Sequence, residues 1–219
     1  DSAYETAISL YKKGIDIEAI IDNREEIDSK LIKDTEKNNI KVYKGYTIVD
    51  TSGYKRINKV SIMQLSKDGQ KAIGSKISIS CDCLGISGGW TPAVHLFTQS
   101  GGKLKFRDED QVFIPNIYPS DQISIGSCNG DFTLDEILST VPKTLKEFLN
   151  LKQTDYEDLE IKSSFNKSKR NIWLLPSDKV IGKTKPFVDY QNDATAKDIK
   201  LALREGFRSI EHVKRYTTT

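Results

Sequence analysis

Apolar residues recur at helical spacing at the start of the chain. Tyr4, Ala7, Ile8 and Tyr11 stand at positions i, i+3, i+4 and i+7, which places them on one face of a helix. Gly14 follows where the C-terminus of a helix favours a residue in the left-handed conformation. The pattern therefore predicts an amphipathic helix that ends shortly before Gly14.

Two apolar runs, separated by an acidic helical stretch, follow this first helix. Residues 15–22, IDIEAIID, form an apolar run that ends in Asp22, which is typical of a buried strand in a parallel sheet. Residues 24–37 predict a second helix, and residues 40–50 predict another strand. Alternation of helix and strand indicates a doubly wound α/β domain.

The polarity pattern changes over residues 41–80, where apolar and polar positions alternate. The turn pairs Ser52-Gly53 and Asp68-Gly69 interrupt this alternation. Alternation with such turns predicts an antiparallel β meander, inserted on the α/β core. Residues 83–89, CLGISGG, are predicted to resume the core as a short buried strand that stops at Gly88-Gly89.

The second half of the chain predicts shorter elements. Short strands and turns occupy residues 101–125, and a glycine turn then leads into a helix that runs to about residue 150. In the last segment Thr195 and Asp198 form a helix-capping pattern, and Gly206 ends that helix. The predicted fold class is α/β, with an incomplete Rossmann-like dinucleotide-binding domain, an inserted antiparallel β meander and a small helical module at the end.

Charge and composition narrow the classes of partner. The 33 basic and 31 acidic side chains leave a net charge of +2, which gives no support to a nucleic-acid or membrane partner. No stretch approaches the ~20 apolar residues of a membrane span. Three cysteines, an odd and small number, make a disulfide framework improbable and favour a reducing compartment. We therefore expect a cytoplasmic globular protein that binds neither nucleic acid nor membrane.

Asp22, followed by Asn23 and Arg24, is the first candidate cofactor-binding site. A carboxylate at the end of the second strand of a nucleotide-binding unit accepts hydrogen bonds from both ribose hydroxyls of adenosine and repels a 2′-phosphate. This position predicts NAD over NADP, a preference that Arg24 softens. The alternative is a surface aspartate at a strand end, because the glycine loop that cradles a pyrophosphate is not in the chain.

Two glycine-containing segments are further candidates for cofactor contact. Ligands gather at the carboxyl ends of strands in an open α/β sheet, and a strand–glycine–helix junction presents N–H groups to an anion or a polyol. The structural alternatives are a turn covered by tryptophan for the first segment and a tight connector for the second. The residues concerned are Gly88, Gly89 and Trp90 in the first segment, and Gly126, Asn129 and Gly130 in the second.

The cysteines do not predict a reactive site. Cys81 and Cys83 would need two more soft ligands to hold zinc, and Cys128 and His95 do not have the spacing of a zinc motif. A nucleophilic pair of Cys128 with His95 lacks a third group to orient the base. We therefore expect no metal site and no catalytic residue in this chain.

Several of these segments resemble known families. Residues 1–22, 84–102 and 124–138 are similar to the pyridine-nucleotide domain, the exit strand and the returning outer-domain segment of thioredoxin-reductase-like flavoproteins. The strings SGGWTPAVHL, FVDYQNDATAKDI and REGFRSIEHVKRYTT resemble one family more closely, the α subunit of heterotetrameric sarcosine oxidase.

The resemblance implies oxidative demethylation of sarcosine to glycine by α, β, γ and δ subunits together. In this family the electrons pass to oxygen and the one-carbon unit passes to tetrahydrofolate. The complex uses NAD, FAD and FMN, with substrate oxidation at FAD in the β subunit and the folate domain at the C-terminus of α. The chain matches only a middle part of α, so we expect a fragment that is inactive by itself.

The resemblance also implies a division of the chain. The parts are an NAD domain portion at 1–100 with the β insertion at about 41–80, a returning segment of the outer nucleotide-binding domain at 101–151, a linker at 152–185, and a small helical module at 186–219 that resembles an iron–sulfur domain without its cluster.

Departures from the family pattern leave alternatives open. Asp189 and Gln191 stand where related modules hold an iron–sulfur cluster through a C-x-C pair, and no cysteine follows Cys128, so no such cluster is expected. The turn from Gly126 to Gly130 lacks the aspartate that related flavoproteins use, which weakens the case for conventional FAD binding. Two other functions are an NADH-linked electron-transfer component of a related proline or opine dehydrogenase, and a structural interaction domain without a cofactor.

Overall fold

A computed structural model describes residues 1–27, 30–119, 121–151, 172–177, 179 and 184–219, and these residues form a mixed α/β fold. The helices are α1 (Ser2–Tyr11), α2 (Lys30–Lys37), α3 (His95–Gln99), α4 (Leu134–Phe148), α5 (Ala196–Arg204) and α6 (Ile210–Thr217). The strands are β1 (Ile20–Asp22), β2 (Val42–Lys44), β3 (Tyr46–Gly53), β4 (Ile57–Leu65), β5 (Ala72–Ser80), β6 (Lys103–Arg107), β7 (Val112–Ile117), β8 (Phe187–Asp189) and β9 (Ala194–Thr195).

The chain folds into two compact units that interleave along the sequence. The first unit takes Asp1–Ser9, Ile27–Lys37 and the described residues of Ile86–Asn171. The second unit takes Leu10–Glu26, Asn38–Gly85 and the described residues of Ile172–Thr219.

The second unit contains the parallel strands and the meander that the sequence predicts. β1 pairs in parallel with β2, and β3, β4 and β5 form an antiparallel sheet in that order. Both predictions are confirmed, although β1 is confined to Ile20–Asp22. The meander begins at Tyr46 rather than near residue 41, because Gly45 has φ +73° and separates β2 from β3. The left-handed Gly45 interrupts residues 40–50, for which the polarity pattern predicts one continuous strand.

The core of this unit lies around the central strand of the meander. Val60, Ser61 and Ile62 are consecutive buried residues of β4, so both faces of the strand are covered at this point. Leu65 is also buried, and its N–H donates to Gly45 O at 2.8 Å. The start of the meander is thereby fixed against the end of β2.

The first unit is built from a hairpin, a turn and helices. β6 and β7 form an antiparallel hairpin, as the turn-rich pattern after residue 100 predicts. A single turn of 3₁₀-helix at Gly126–Asn129 follows, and α4 begins at Leu134 and ends at Phe148, close to the predicted end. The buried residues of this unit include Tyr4, Ile32, Phe97 and Ile114.

Residues 83–89 do not form the predicted buried strand. They have no regular secondary structure, and the side chain of Ile86 is 85% exposed. The boundary between the two units also falls here, between Gly85 and Ile86. An apolar run becomes a buried strand only where neighbouring strands supply hydrogen bonds, and no described strand pairs with these residues. The strand prediction for 83–89 was therefore wrong.

The C-terminal module confirms the predicted helix signals and adds a small sheet. α5 follows the capping pattern at Thr195, and Gly206 ends the helix with φ +96°. α6 follows Ser209 as its N-cap. β8 and β9 precede these helices and pair antiparallel. The prediction of a purely helical module was therefore incomplete.

Most of the predicted linker, residues 152–185, lies outside the described residues.

In the described part of the chain, no helix combines the length and the apolar character that crossing a bilayer requires.

Candidate functional site

The end of β1 carries the first group of predicted cofactor-binding residues. Strand pairing aligns Asp22 with Lys44 of the parallel strand β2, so Asp22 lies at the carboxyl end of both strands. Asn23 and Arg24 begin the loop that follows. This is the place in a parallel sheet where ligand-binding side chains are usually found.

Arg24 holds the carboxylate of Asp22 in a fork. Arg24 Nε donates to Asp22 Oδ1 at 3.0 Å, and Arg24 Nη2 donates to Oδ2 at 2.8 Å. The backbone N–H of Arg24 also donates to Oδ1, at 2.9 Å. The Arg24 and Asp22 side chains are only 14% and 11% exposed. A two-point pair of this kind fixes the orientation of both side chains.

Gly45 holds the loop after β1 through a backbone hydrogen bond. Its N–H donates to Arg24 O at 2.9 Å. Its φ is +73°, and a Cβ at this position would lie 2.8 Å from Glu25 Cγ. Sequence reasoning did not identify Gly45 as a site residue, although a glycine inside an apparently continuous strand is the signal that could have found it.

The other predicted residues belong to the first unit. Residues Gly88, Gly89 and Trp90 lie in irregular, exposed chain, with Trp90 71% exposed. Gly89 has φ +104°, as expected for a turn, but a Cβ at Gly88 or Gly89 would meet no atom of the described residues within 4 Å. Their predicted contact with a cofactor stays a prediction.

The turn that contains Gly126, Asn129 and Gly130 is closed by its own hydrogen bonds. Gly130 N–H donates to Ser127 O at 3.2 Å, and Asp131 N–H donates to Gly126 O at 3.1 Å. These two N–H groups therefore serve the turn itself, in agreement with the tight connector that was the structural alternative. The role of the turn in cofactor binding stays a prediction.

Arg107 fastens this turn to the β6–β7 hairpin. Its Nη2 donates to Gly130 O at 3.0 Å and also pairs with Asp110. Gly130 has φ +87°, and a Cβ there would lie 2.6 Å from Arg107 Nη2. The sequence pattern did not point to Arg107, because residue types alone do not show a contact across 23 positions.

The start of α4 is capped by side chains of the chain itself. Thr133 and Glu136 form a capping box. Glu136 Oε2 accepts from the Thr133 N–H at 3.2 Å and from the Thr133 hydroxyl at 2.8 Å. These groups satisfy N–H donors that a helix N-terminus otherwise offers to an anion.

Cys83 and Cys128 are exposed, and Cys81 is partly buried. Cys81 and Cys83 follow the end of β5, and all three cysteines are free thiols. Burial, and secondarily the charge of Asp82, raise the pKa of the Cys81 thiol. No group of three or more potential metal ligands occurs within the described ranges.

The chain is similar over its whole length to curated proteins. It is 30% identical to sarcosine oxidase subunit alpha of Corynebacterium sp. (strain P-1), and the match covers 100% of this chain and 23% of the relative. The α subunits of Corynebacterium sp. (strain U-96) and Rhizobium meliloti (strain 1021) are 28% and 27% identical over 100% of this chain, which covers 23% and 21% of their lengths. Residues 183–219 match the family described as the sarcosine oxidase A3 domain.

The predicted resemblance to sarcosine oxidase α subunits is confirmed. The chain spans less than a quarter of the length of these α subunits. L-Proline dehydrogenase from P. horikoshii is a solved structure similar to 92% of this chain, with 16% identity, a TM-score of 0.49 and 40% of that chain covered. Thioredoxin reductase of T. acidophilum is similar to 60% of this chain, with 14% identity, a TM-score of 0.38 and 44% of that chain covered.

Asp189 is the last residue of β8, and Gln191 lies in the turn that follows it in the C-terminal module, residues 184–219. Asp189 Oδ1 accepts from the N–H of Gln191 at 2.8 Å, and Oδ2 accepts from Asn192 Nδ2 at 2.7 Å. These hydrogen bonds lower the pKa of Asp189. Asp189 therefore organises the turn between β8 and β9 by an Asx-type contact, which is the local chemistry that aspartate provides in turns.

Proposed function

We propose that the chain is the dinucleotide-binding and subunit-docking part of an amine-oxidising enzyme of the sarcosine oxidase type. The observation that carries the proposal is the whole-length similarity to α subunits, together with a carboxylate at the carboxyl end of the parallel strands β1 and β2. An acidic residue there suits the ribose hydroxyls of an adenine dinucleotide. The cofactor we propose is NAD, held in part by Asp22, Asn23 and Arg24.

Asp22 fits this cofactor in type and in place. Both of its oxygens already accept hydrogen bonds from Arg24. Ribose hydroxyls donate to the same oxygens, and because each carboxylate oxygen can accept more than one hydrogen bond, the ribose would share Asp22 with Arg24. When bound, the nicotinamide ring would supply hydride chemistry. The residues of this chain would bind and orient the nucleotide, and we assign none of them a catalytic role.

On the basis of the similarity to sarcosine oxidase α subunits, we also propose the reaction of the complete enzyme. It is the oxidative demethylation of sarcosine to glycine, with oxygen as electron acceptor and tetrahydrofolate as one-carbon acceptor. FAD and FMN belong to the proposed complex, and no iron–sulfur cluster is assigned, because residues 184–219 contain no cysteine. This chain alone is proposed to be inactive, since substrate oxidation is assigned to the β subunit of a cytoplasmic complex.

The test of dinucleotide binding is a titration of the full-length protein with NADH. Asp22→Ala should weaken NADH binding about tenfold, the usual effect of losing a hydrogen bond to a charged group. Asp16→Ala is the matched control, because Asp16 is an exposed aspartate of the same unit. Thermal unfolding of each variant checks that the fold is kept. Equal NADH affinity in the wild type and Asp22→Ala would contradict this assignment.

Docking to another subunit is proposed for the exposed segment around Trp90. Ile86, Trp90 and Leu96 are 85%, 71% and 82% exposed, and large apolar side chains, tryptophan above all, are enriched where proteins contact each other. The relatives are named as subunits, so we propose that another subunit of the same enzyme covers this surface.

Co-purification of the full-length protein with its partner subunits tests the docking surface. The double variant Ile86→Ser, Trp90→Ser should release a partner subunit, because it removes two apolar contacts. Trp173→Ser, which changes another exposed tryptophan, should leave the complex intact. An intact complex with the double variant would rule out this surface as the contact.

A further inference from the structure

Cys81 and Cys83 flank a bend in the chain just after β5. The bend is at Asp82, and residues 83–89 beyond it have no regular secondary structure. The backbone N–H of Cys81 donates to Asn58 O at 3.2 Å, which holds Cys81 against β4. One cysteine is therefore anchored to the sheet, and the other follows the bend.

The two cysteines are close enough along the chain to form a disulfide. Residues i and i+2 lie at most about 7 Å apart between their Cα atoms, and a bend shortens this distance. Disulfides join Cα atoms that are roughly 4.4–6.8 Å apart. After burial and the charge of Asp82, a Cys83 thiolate also raises the pKa of Cys81, so the two sulfur atoms interact electrostatically.

The two thiols differ in their access to solvent. Cys83 is exposed, whereas Cys81 is partly buried. Burial raises the pKa of the Cys81 thiol, so less of Cys81 is thiolate near neutral pH. Oxidants attack thiolates that solvent reaches, and a second thiol nearby then resolves the oxidised sulfur. Cys83 has the exposure of the first thiol, and Cys81 has the position of the second.

We propose that Cys81 and Cys83 form a reversible dithiol–disulfide pair whose oxidant is hydrogen peroxide. The Cys83 thiolate attacks one peroxide oxygen, so an S–O bond forms, the O–O bond breaks and hydroxide leaves. Cys81 Sγ then attacks Sγ of the Cys83 sulfenic acid, which forms the S–S bond and releases a second hydroxide. The two thiol protons convert both hydroxides to water, and two electrons pass from the sulfur atoms to the peroxide.

The surroundings of the pair suit a disulfide that forms and breaks. The Asp82 side chain is 80% exposed, so a reducing thiol can reach the bend. Exposed or strained disulfides have relatively high reduction potentials and are therefore labile. In a reducing compartment such disulfides are transient and respond to oxidants. A thiol such as glutathione should therefore return the pair to its reduced form.

The test treats the full-length protein with hydrogen peroxide, followed by N-ethylmaleimide and trypsin. Cleavage after Lys76 and Lys103 gives peptide 77–103, which contains Cys81 and Cys83 and no other cysteine. After peroxide treatment, mass spectrometry should find this peptide without N-ethylmaleimide and lighter than the dithiol by two hydrogen atoms. Glutathione added before N-ethylmaleimide should restore both labels.

The variant Cys81→Ser removes the resolving thiol. Dimedone, which traps sulfenic acids, should label Cys83 about tenfold more in this variant than in the wild type, because intramolecular attack by Cys81 no longer competes. Cys128 is the matched control, since it is exposed and has no neighbouring cysteine in the sequence. Dimedone should label Cys128 equally in the wild type and the variant.

The proposal is overturned if both thiols of peptide 77–103 still react with N-ethylmaleimide after a peroxide dose at which dimedone labels Cys128. A disulfide from Cys81 or Cys83 to a different peptide would also overturn it, as would equal labelling of Cys83 in the wild type and Cys81→Ser. The wild-type peptide mass needs no variant, so a folding defect in Cys81→Ser does not affect that measurement. None of these results bears on dinucleotide binding.

Discussion

The N–H of Gly45 donates to the carbonyl oxygen of Arg24 at 2.9 Å. This bond joins the break between β2 and β3 to the loop that follows β1, so two segments 21 positions apart form one strand-end structure. Gly45 is left-handed, and a Cβ at this position would lie 2.8 Å from Glu25 Cγ, so a side chain here would strain the backbone and displace Glu25. The geometry of the Asp22–Arg24 pair therefore depends on a glycine outside the candidate motif.

Replacing Gly45 by alanine should destabilise the fold more than the same change at Gly74. Both residues have nearly the same left-handed φ, +73° and +76°, and both lie in the second unit. Each alanine incurs backbone strain of about 1–2 kcal/mol. The Gly45→Ala variant must also displace Glu25, whereas no atom of the part of the chain that the structure describes lies within 4 Å of a Cβ at Gly74.

We expect this displacement to add about 1 kcal/mol to the loss of stability for Gly45→Ala. Urea unfolding of both variants measures the difference. Equal midpoints for the two would show that Gly45 contributes only its backbone conformation, without a packing constraint on the strand end.

A second prediction concerns the turn held by Arg107. Gly130→Ala should lower the free energy of unfolding by about 1 kcal/mol more than Gly101→Ala, because its Cβ would lie 2.6 Å from Arg107 Nη2. Gly101 is the control, since it has a similar φ of +89°, lies in the same unit and meets only an ordinary contact at 3.9 Å. Chemical denaturation monitored by circular dichroism gives both values. The prediction fails if Gly101→Ala is the more damaging change.

The N-cap of α5 should make the C-terminal module, residues 184–219, sensitive to acid. The Thr195 hydroxyl donates to Asp198 Oδ2 at 2.7 Å and the Thr195 N–H donates at 2.8 Å, and these bonds lower the pKa of Asp198. A lowered pKa in the folded state gives stability that is complete above the unfolded value of about 3.9 and is lost as the pH falls further. The cap should therefore weaken below about pH 4.

Asp198→Asn isolates this contribution from the other carboxylates. Helicity measured between pH 6 and pH 2 should fall less steeply below pH 4 in this variant than in the wild type. Glu205→Gln, which changes an exposed carboxylate just after α5, should keep the wild-type profile. Identical profiles for Asp198→Asn and the wild type would remove the cap as the cause of the acid response.

The cysteines should differ in reactivity towards a thiolate-specific reagent. Burial and the charge of Asp82 raise the pKa of Cys81, so less of it is thiolate near neutral pH. Cys83 and Cys128 are exposed, and N-ethylmaleimide should modify them faster than Cys81. Peptide mass spectrometry over a time course at pH 7.5 measures the order, with the urea-unfolded protein as the control in which all three react at similar rates. Modification of Cys81 first would contradict the burial argument.

Local signals in the sequence were sufficient for several elements. Gly14 has φ +83°, and its N–H donates to Tyr11 O at 2.9 Å, as the predicted end of α1 requires. The Thr195–Asp198 cap and the meander turn at Asp68-Gly69 were predicted in the same way. In each case the deciding hydrogen bonds close within a few residues, so residue type and spacing contain the information.

The strand prediction at 83–89 failed for the opposite reason. An apolar run is compatible with a buried strand, but it needs partner strands from elsewhere in the chain to satisfy its backbone. The polarity of residues 83–89 carries no information about whether such partners exist. Ile86 is an example, because the apolar run predicts that its side chain is buried, whereas the side chain is exposed.

The sequence by itself determined the α/β class, the meander, the ends of α1 and α5, and the resemblance to sarcosine oxidase α subunits, whereas the second helix, predicted over 24–37, begins only at Lys30. Only the tertiary structure decided which donors meet the carboxylate of Asp22, that Gly45 supports this loop, and that Arg107 fastens the turn at Gly130. Helix caps and tight turns are made by neighbours in the chain, whereas these contacts depend on packing that brings distant segments together and selects one rotamer for each side chain.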